Sequence, residues 1–171
     1  MESVSKIIQQ IGSNSNLPSE CKKQWAVEIR EKFGSDVDFL KTFNPSNQVF
    51  FIEKGLERCF VGLAPSLNRA KKTYSNETVK NWLIAQLIDL SLFVGIKEKP
   101  EITTLEAISD TIMLLYGFLK VTELMVFFQR FKAGKYGTFY GSIDGIIITS
   151  AINAFLEYRK EMLNKIERSH L

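Results

Sequence analysis

Apolar side chains recur every three or four residues along most of this chain, which is the spacing of one face of an α-helix. The clearest stripe lies near the C-terminus and consists of Ile148, Ala151, Phe155, Tyr158, Met162 and Ile166. A second consists of Val79, Leu83, Leu87, Leu90 and Val94. No run shows the sustained period-two alternation of a half-buried strand. The pattern therefore predicts an all-α fold: a compact helical bundle with a long C-terminal helix and a glycine- and aromatic-rich loop before it.

Residues that can cap the first turn of a helix support the predicted helix boundaries. Asp144 stands where its carboxylate can cap the final helix. Thr122 is predicted to cap the helix before the loop, and Thr103 with Glu106 has the spacing of a capping box. These positions predict a helix from about Thr103 to Tyr116 and another that ends near Phe131.

The chain is predicted to form one domain with two regions. Residues 76–171 form the C-terminal helical bundle, and residues 1–75 form an N-terminal helical region that packs on it. Within that region we expect a short helix over 2–11. The stretch 47–60 is either a helix or a strand-like piece, because "QVFFI" is too short for periodicity to decide.

Composition places the chain among globular proteins. The 171 residues are 45% hydrophobic, 24% charged and 12% aromatic, which is enough apolar surface for a sizeable core and excludes wholesale disorder. The net charge of +3 is too small to establish an anionic partner. The most apolar stretch, "WLIAQLIDLSLFVGI", is interrupted by polar residues and too short to span a bilayer, so it reads as a core helix rather than a membrane anchor.

Few residues are available for catalysis or metal binding. His170 is the only histidine, and the cysteines Cys21 and Cys59 form no CxxC pair, so a Cys/His zinc site is not expected. Free thiols suit a reducing cytoplasm, and the N-terminus lacks the pattern of a secretory signal. No Walker or dinucleotide motif is complete, since Tyr136 stands where a P-loop needs serine or threonine. We expect a cytoplasmic protein that is not an enzyme and has no cofactor.

The loop "FKAGKYGTFYGSIDG" has an architectural interpretation. Gly134 can end the preceding helix, Gly137 and Gly141 permit positive φ, and the aromatic rings of Tyr136 and Tyr140 can pin the loop onto the bundle.

The same loop has a functional interpretation that the first does not exclude. Arg130, Lys132 and Lys135 are predicted to form a basic rim beside the exposed rings of Tyr136 and Tyr140. Cations beside stacking faces suit single-stranded nucleic acid. Charge elsewhere is uneven in the same sense: the segment from Lys54 to Lys80 carries six basic residues (Lys54, Arg58, Arg69, Lys71, Lys72 and Lys80) and two acidic ones (Glu57 and Glu77).

The stretch "LKVTELMVFFQRFKAGKYGTFYGSIDGIIITSAINAFLEYR" resembles a family of small helical proteins from Bacteroidales chromosomes, their phages and their conjugative elements, which has no established activity. The resemblance covers about residues 55–165. Its core is a turn of the form F-K-x-G-K-Y-G-x-F-Y-G followed by aspartate. The matching positions are Glu123, Phe127, Phe128, Phe131, Lys132, Gly134, Lys135, Tyr136, Gly137, Phe139, Tyr140, Gly141, Asp144 and Arg159.

The resemblance implies an accessory role in DNA replication of phages or mobile elements, by analogy with helicase-loader adaptors. On this interpretation the partner is single-stranded DNA or a replication protein. The alternative is a protein-interaction module of phage origin that engages a host or defence protein. Relatives often carry proline after the aspartate, where this chain has Gly145, a difference that would loosen the start of the helix without changing the fold.

Overall fold

The computed structural model describes residues 19–139 and 141–170, with side chains from residue 24 onward. The helix expected over 2–11 lies outside the described residues. Those residues form nine α-helices, with a 3₁₀ turn (Pro45–Asn47) before the third, and no β-strand. The helices are α1 (Ser19–Phe33), α2 (Asp36–Thr42), α3 (Gln48–Glu53), α4 (Leu56–Val61), α5 (Leu67–Thr73), α6 (Asn76–Phe93), α7 (Ile102–Leu115), α8 (Val121–Lys132) and α9 (Gly145–Ser169). The prediction of an all-α fold with a long C-terminal helix is confirmed.

The stretch that periodicity left open is helical. Residues 47–60 contain α3 and most of α4, which are separated at Gly55. Gly55 has φ +140°, a conformation that side-chain-bearing residues rarely adopt, so this glycine permits the sharp change of direction between the two helices. Two short helices at an angle explain why no single periodic stripe runs through the segment.

Of the three capping residues predicted from the sequence, one caps its helix and two do not. Asp144 caps α9 as predicted, because its Oδ1 accepts hydrogen bonds from the backbone N–H groups of Ile146 (2.7 Å) and Ile147 (3.3 Å). The capping box predicted at Thr103 is wrong, since the N-cap of α7 is Glu101, two residues earlier, and Thr103 lies within the helix. The Thr122 cap is also wrong: its hydroxyl donates 2.7 Å to the carbonyl of Cys59, a tertiary contact that no local spacing reveals.

The core is built around α8. All eight residues from 121 to 128 are buried, and the helix contacts α3, α4, α6 and α9. Phe127 packs edge-on against Phe128, Phe131 and Phe155, with ring centroids 5.1–6.0 Å apart. One continuous hydrophobic core runs from Phe39 to Ile166, so helices from both halves of the chain share a single interior.

A chain of hydrogen bonds crosses this core. The side-chain amide of Gln48 donates to that of Gln86 (2.7 Å), and Gln86 donates to the carbonyl of Phe43 (3.0 Å). The indole N–H of Trp82 donates to the same carbonyl (2.7 Å), which satisfies both of its lone pairs. The chain thereby ties α3 and the end of α2 to α6 with its buried groups paired.

In the described part of the chain, no helix is both long enough and apolar enough to cross a membrane.

Cys59 is a free, buried thiol. Burial raises its pKa to about 11, so it stays protonated and unreactive near neutral pH.

Candidate functional site

The glycines of the loop between α8 and α9 have the predicted conformation. Gly134, Gly137 and Gly141 have φ values of +74°, +90° and +87°. An added Cβ would meet no atom within 4 Å at any of the three, so the conformation rather than close packing requires glycine. The predicted positive φ at these glycines is therefore confirmed.

Tyr136 is half-buried and packs on the core. Its ring stacks on Phe127, with centroids 5.5 Å apart and planes 25° from parallel, and its hydroxyl accepts a hydrogen bond from Arg130 Nε (2.9 Å). Burial raises the pKa of this hydroxyl above its usual value, with Arg130 opposing the rise. The ring is thus partly exposed, and it also packs on the bundle as the architectural interpretation expects. Nearby, Phe139 stacks on Phe131 at 5.0 Å.

The cations of the predicted rim are mostly occupied within the protein. The Arg130 guanidinium lies 3.5 Å from the ring centroid of Tyr158 in addition to its bond to Tyr136. Lys132 forms a salt bridge with Asp89 and donates to Gln48 Oε1 (2.9 Å), and only 10% of its side chain is exposed. It therefore extends the hydrogen-bond chain of the core.

Lys135 is the one rim cation that is exposed and forms no salt bridge among the described residues. Tyr140 lies outside the described residues. The structure therefore does not bring Arg130, Lys132 and Lys135 together as one free basic surface. The binding role of the loop stays a prediction, and the exposed cation Lys135 is the feature of the loop that supports it.

A different surface combines free cations with apolar side chains. A groove of about 550 Å³ lies between the end of α1, helices α3 and α4, and the loop after α4. We call it the basic groove. It is lined by Lys32, Phe33, Phe50, Phe51, Lys54, Arg58, Cys59, Gly62, Leu63, Ala64 and Thr122. A smaller cavity of about 280 Å³ shares Lys32, Phe33 and Leu63 with it and adds Trp25, Glu28, Arg69 and Lys120.

Three cations of the basic groove and the adjoining cavity lie over aromatic rings. Lys32 Nζ lies 5.7 Å from the ring centroid of Phe33, and Lys54 Nζ lies 5.4 Å from that of Phe50. The Arg69 guanidinium lies 5.6 Å from the ring of Trp25. Neither these three cations nor Arg58 forms a salt bridge within the described residues. The rings orient the cations while their charges stay available to a ligand.

The start of α8 holds one wall of the groove in place. Lys120 Nζ donates to the carbonyls of Gly62 (2.7 Å) and Ala64 (3.3 Å), and burial lowers the pKa of this ammonium. The N–H of Val121 donates to the carbonyl of Pro65 (3.0 Å). With the bond from Thr122 to Cys59, these contacts fix the segment 59–65 against the core.

Glu123 anchors this part of α8. It is fully buried, and its carboxylate accepts 2.8 Å hydrogen bonds from the backbone N–H of Lys120 and from Arg159 Nε. Burial raises the pKa of Glu123 above its ordinary value of 4.5, while the bond from Lys120 and the charge of Arg159 oppose the rise. The carboxylate thus joins α8 to α9.

Sequence reasoning noticed part of the groove and missed the rest. Lys54, Arg58 and Arg69 belong to the basic segment 54–80. Lys32 was missed because it lies on α1, more than twenty positions earlier, and only the tertiary fold places the end of α1 at the same groove. No group of three or more His, Cys, Asp or Glu side chains among the described residues is arranged to hold a metal ion.

Residues 99–169 match a protein-family model described as a family of unknown function (DUF6633). The match spans less than half of the chain and covers α7, α8, the glycine-rich loop and α9. It includes Lys120 and Thr122, which support the groove, but not Lys32, Lys54 or Arg58, which line it. No curated protein and no solved structure shows significant similarity to the chain.

Replacing Phe131 by alanine should lower the free energy of unfolding by about 3–5 kcal/mol, because a fully buried ring is lost from the core. Tyr136→Ala should cost less, about 2 kcal/mol, because the ring is half-buried. Chemical denaturation of both variants beside the wild type checks this. An unchanged stability of Tyr136→Ala would mean that its stacking on Phe127 contributes nothing.

Lys132→Ala and Lys135→Ala form a matched pair for the loop. Lys132→Ala should destabilise the protein by about 2–3 kcal/mol, because it leaves Asp89 and Gln48 without their partner. Lys135→Ala should change stability by less than about 0.5 kcal/mol, since the side chain is exposed. Thermal melts of the two variants measure the difference. Equal melting temperatures would show that the Lys132–Asp89 contact does not contribute to stability.

The raised pKa of Glu123 predicts a pH-dependent stability. A raised acid pKa means that the folded state holds this proton more tightly than the unfolded state. Its contribution is therefore fully present below the ordinary pKa and is lost as pH rises through the folded value.

The stability of the wild type relative to Glu123→Gln should accordingly decrease as pH rises from the ordinary acid pKa of 4.5 into the neutral range. Denaturation midpoints of both proteins over this range measure it, and groups common to both proteins cancel. A difference that grows with pH would show that the contacts from Arg159 and Lys120 outweigh burial.

Proposed function

We propose that this chain is a non-enzymatic adaptor that binds an anionic partner in the basic groove. The partner is single-stranded DNA or an acidic segment of a replication protein, and the role is accessory to the replication of a phage or mobile element. The mobile-element context is supported by the resemblance of the glycine-rich turn to that of the family from Bacteroidales phages and conjugative elements. A cytoplasmic location is supported by the free thiol of Cys59, which a reducing compartment preserves.

The observation that carries the proposal is the set of unpaired cations around a concave apolar surface. Lys32, Lys54 and Arg58 line the groove without a carboxylate partner among the described residues. Concave surfaces lined mainly by apolar side chains, with a few placed polar groups, are the usual form of binding sites. The loop is the weaker location, because Arg130 and Lys132 are held in internal contacts.

A protein-interaction module that engages a host or defence protein is the second candidate. It is favoured by Leu63, whose side chain is 71% exposed in the groove. Aliphatic side chains exposed beside a groove are typical of protein-binding surfaces. Both candidates place the partner in the same groove and differ in which partner it is: DNA or a replication protein for the first, and a host or defence protein for the second.

The charge part of the proposal is tested with a fluorescently labelled oligodeoxythymidylate. Binding measured by anisotropy should be detectable at low salt and should weaken steeply as salt rises, because counterions released from the phosphates are recaptured. The double variant Lys54→Ala/Arg58→Ala should weaken binding and flatten the salt slope by about 0.7 for each lost phosphate contact.

The matched control is Lys160→Ala/Lys165→Ala, which removes two exposed cations of α9 that do not line the groove. Lys135→Ala is a separate control for the loop. Equal losses in the groove and α9 variants would point to diffuse charge attraction. A loss confined to Lys135→Ala would return the binding site to the loop.

A further inference from the structure

We infer that the ligand of the basic groove is an acidic amphipathic helix of a partner protein. Its apolar face would lie on the groove floor around Phe50 and Leu63, and its carboxylates would pair with Lys32, Lys54 and Arg58. This inference rests on the proposed adaptor function and names the chemical class of the partner at the same site. Docking of an amphipathic helix into an apolar groove is a recurring mode of peptide recognition.

The groove floor favours apolar side chains over nucleobases. Leu63 is 71% exposed and Phe50 52% exposed, so both present carbon surface that a partner could remove from water. The Thr122 hydroxyl is already committed to Cys59, and the carbonyls of Gly62 and Ala64 accept from Lys120. These polar groups are therefore not free to recognise the edges of a base.

The rings of the groove are poorly placed for stacking a nucleic-acid strand. Phe33 and Phe51 both pack on the core residue Phe43, with centroids 5.1 and 5.4 Å apart. They are half-buried, which leaves Phe50 as the one largely exposed ring among the residues that line the groove. Proteins that bind single strands stack successive bases on several rings, whereas a helix needs only a continuous apolar strip.

Charge complements such a helix. The basic groove itself contains Lys32, Lys54 and Arg58 and no acidic lining residue, and the adjoining cavity contributes Arg69 against Glu28. Acidic side chains that flank the apolar strip of a helix would meet cations at the groove edge, where pairing guides association and fixes register. The combination of an apolar floor with a cationic edge therefore selects an acidic amphipathic helix.

The probe is a labelled synthetic peptide of about four helical turns, with leucine at positions i, i+3, i+4 and i+7 and glutamate on the flanks. There are two control peptides. The first has the same composition in scrambled order, and the second has the same sequence with glutamine in place of glutamate. The labelled oligodeoxythymidylate is the nucleic-acid probe. All are titrated with the full chain at low and at physiological salt.

The patterned peptide should bind at least about tenfold more tightly than either control, and part of its affinity should persist at physiological salt, because burial of apolar surface is not screened. Leu63→Asp should weaken its binding by about tenfold or more. The matched control Leu114→Asp changes a leucine of similar exposure on α7, outside the groove, and should leave binding unchanged. Melting curves of both variants check that the fold is retained.

The outcomes separate this inference from the proposed function. Equal binding of patterned and scrambled peptides, or equal binding by Leu63→Asp and the wild type, would overturn the amphipathic helix. Binding of the oligonucleotide but not the patterned peptide would also overturn it, while an anionic ligand would stand. If neither probe binds at low salt, both proposals fail.

Discussion

The burial of α8 is the constraint on which the rest of the structure depends. Eight consecutive residues, 121–128, are removed from water, and one of them is the carboxylate Glu123. A buried carboxylate is costly unless it is paired, so its hydrogen bonds to Arg159 and to the N–H of Lys120 are required for α8 to occupy the centre. Because Arg159 lies on α9, satisfying this charge also positions the longest helix.

The same physical requirement shapes both candidate sites. At the start of α8, the N-cap residue Lys120 and Thr122 of the first turn donate to carbonyls of the segment 59–65 and so hold one wall of the basic groove in place. At its end, α8 contributes Lys132, whose ammonium joins Asp89 of α6 and Gln48 of α3. Polar groups at the two ends of a buried helix must find partners, and those partners determine where the loop and the groove lie.

Periodicity was sufficient to predict the fold class and the main core, and it failed where a side chain's partner is distant in sequence. The stripe through Ile148, Phe155 and Ile166 is buried as predicted, because it depends only on the 3.6-residue period. Lys132, by contrast, was expected at a solvated rim, and its partner Asp89 lies 43 positions earlier. Nothing in the local pattern distinguishes a paired lysine from a free one, so the loop was predicted as more basic and more open than it is.

The basic groove is formed by cations that line it and by other residues that hold its wall in place, and the two sets lie in different parts of the chain. The lining cations are Lys32 of α1, Lys54 directly after α3, and Arg58 of α4, and all three precede the family match that begins at residue 99. The supporting residues Lys120 and Thr122 lie within that match and are fixed by the burial of α8.

The lining cations and the residues that support the groove thus lie on different segments of the chain. Because the lining cations make no salt bridge to the rest of the described chain, replacing them breaks no internal ion pair. Replacing Lys120, in contrast, frees two carbonyls that it now satisfies. The charge of the groove can therefore vary with little effect on stability, while its shape cannot.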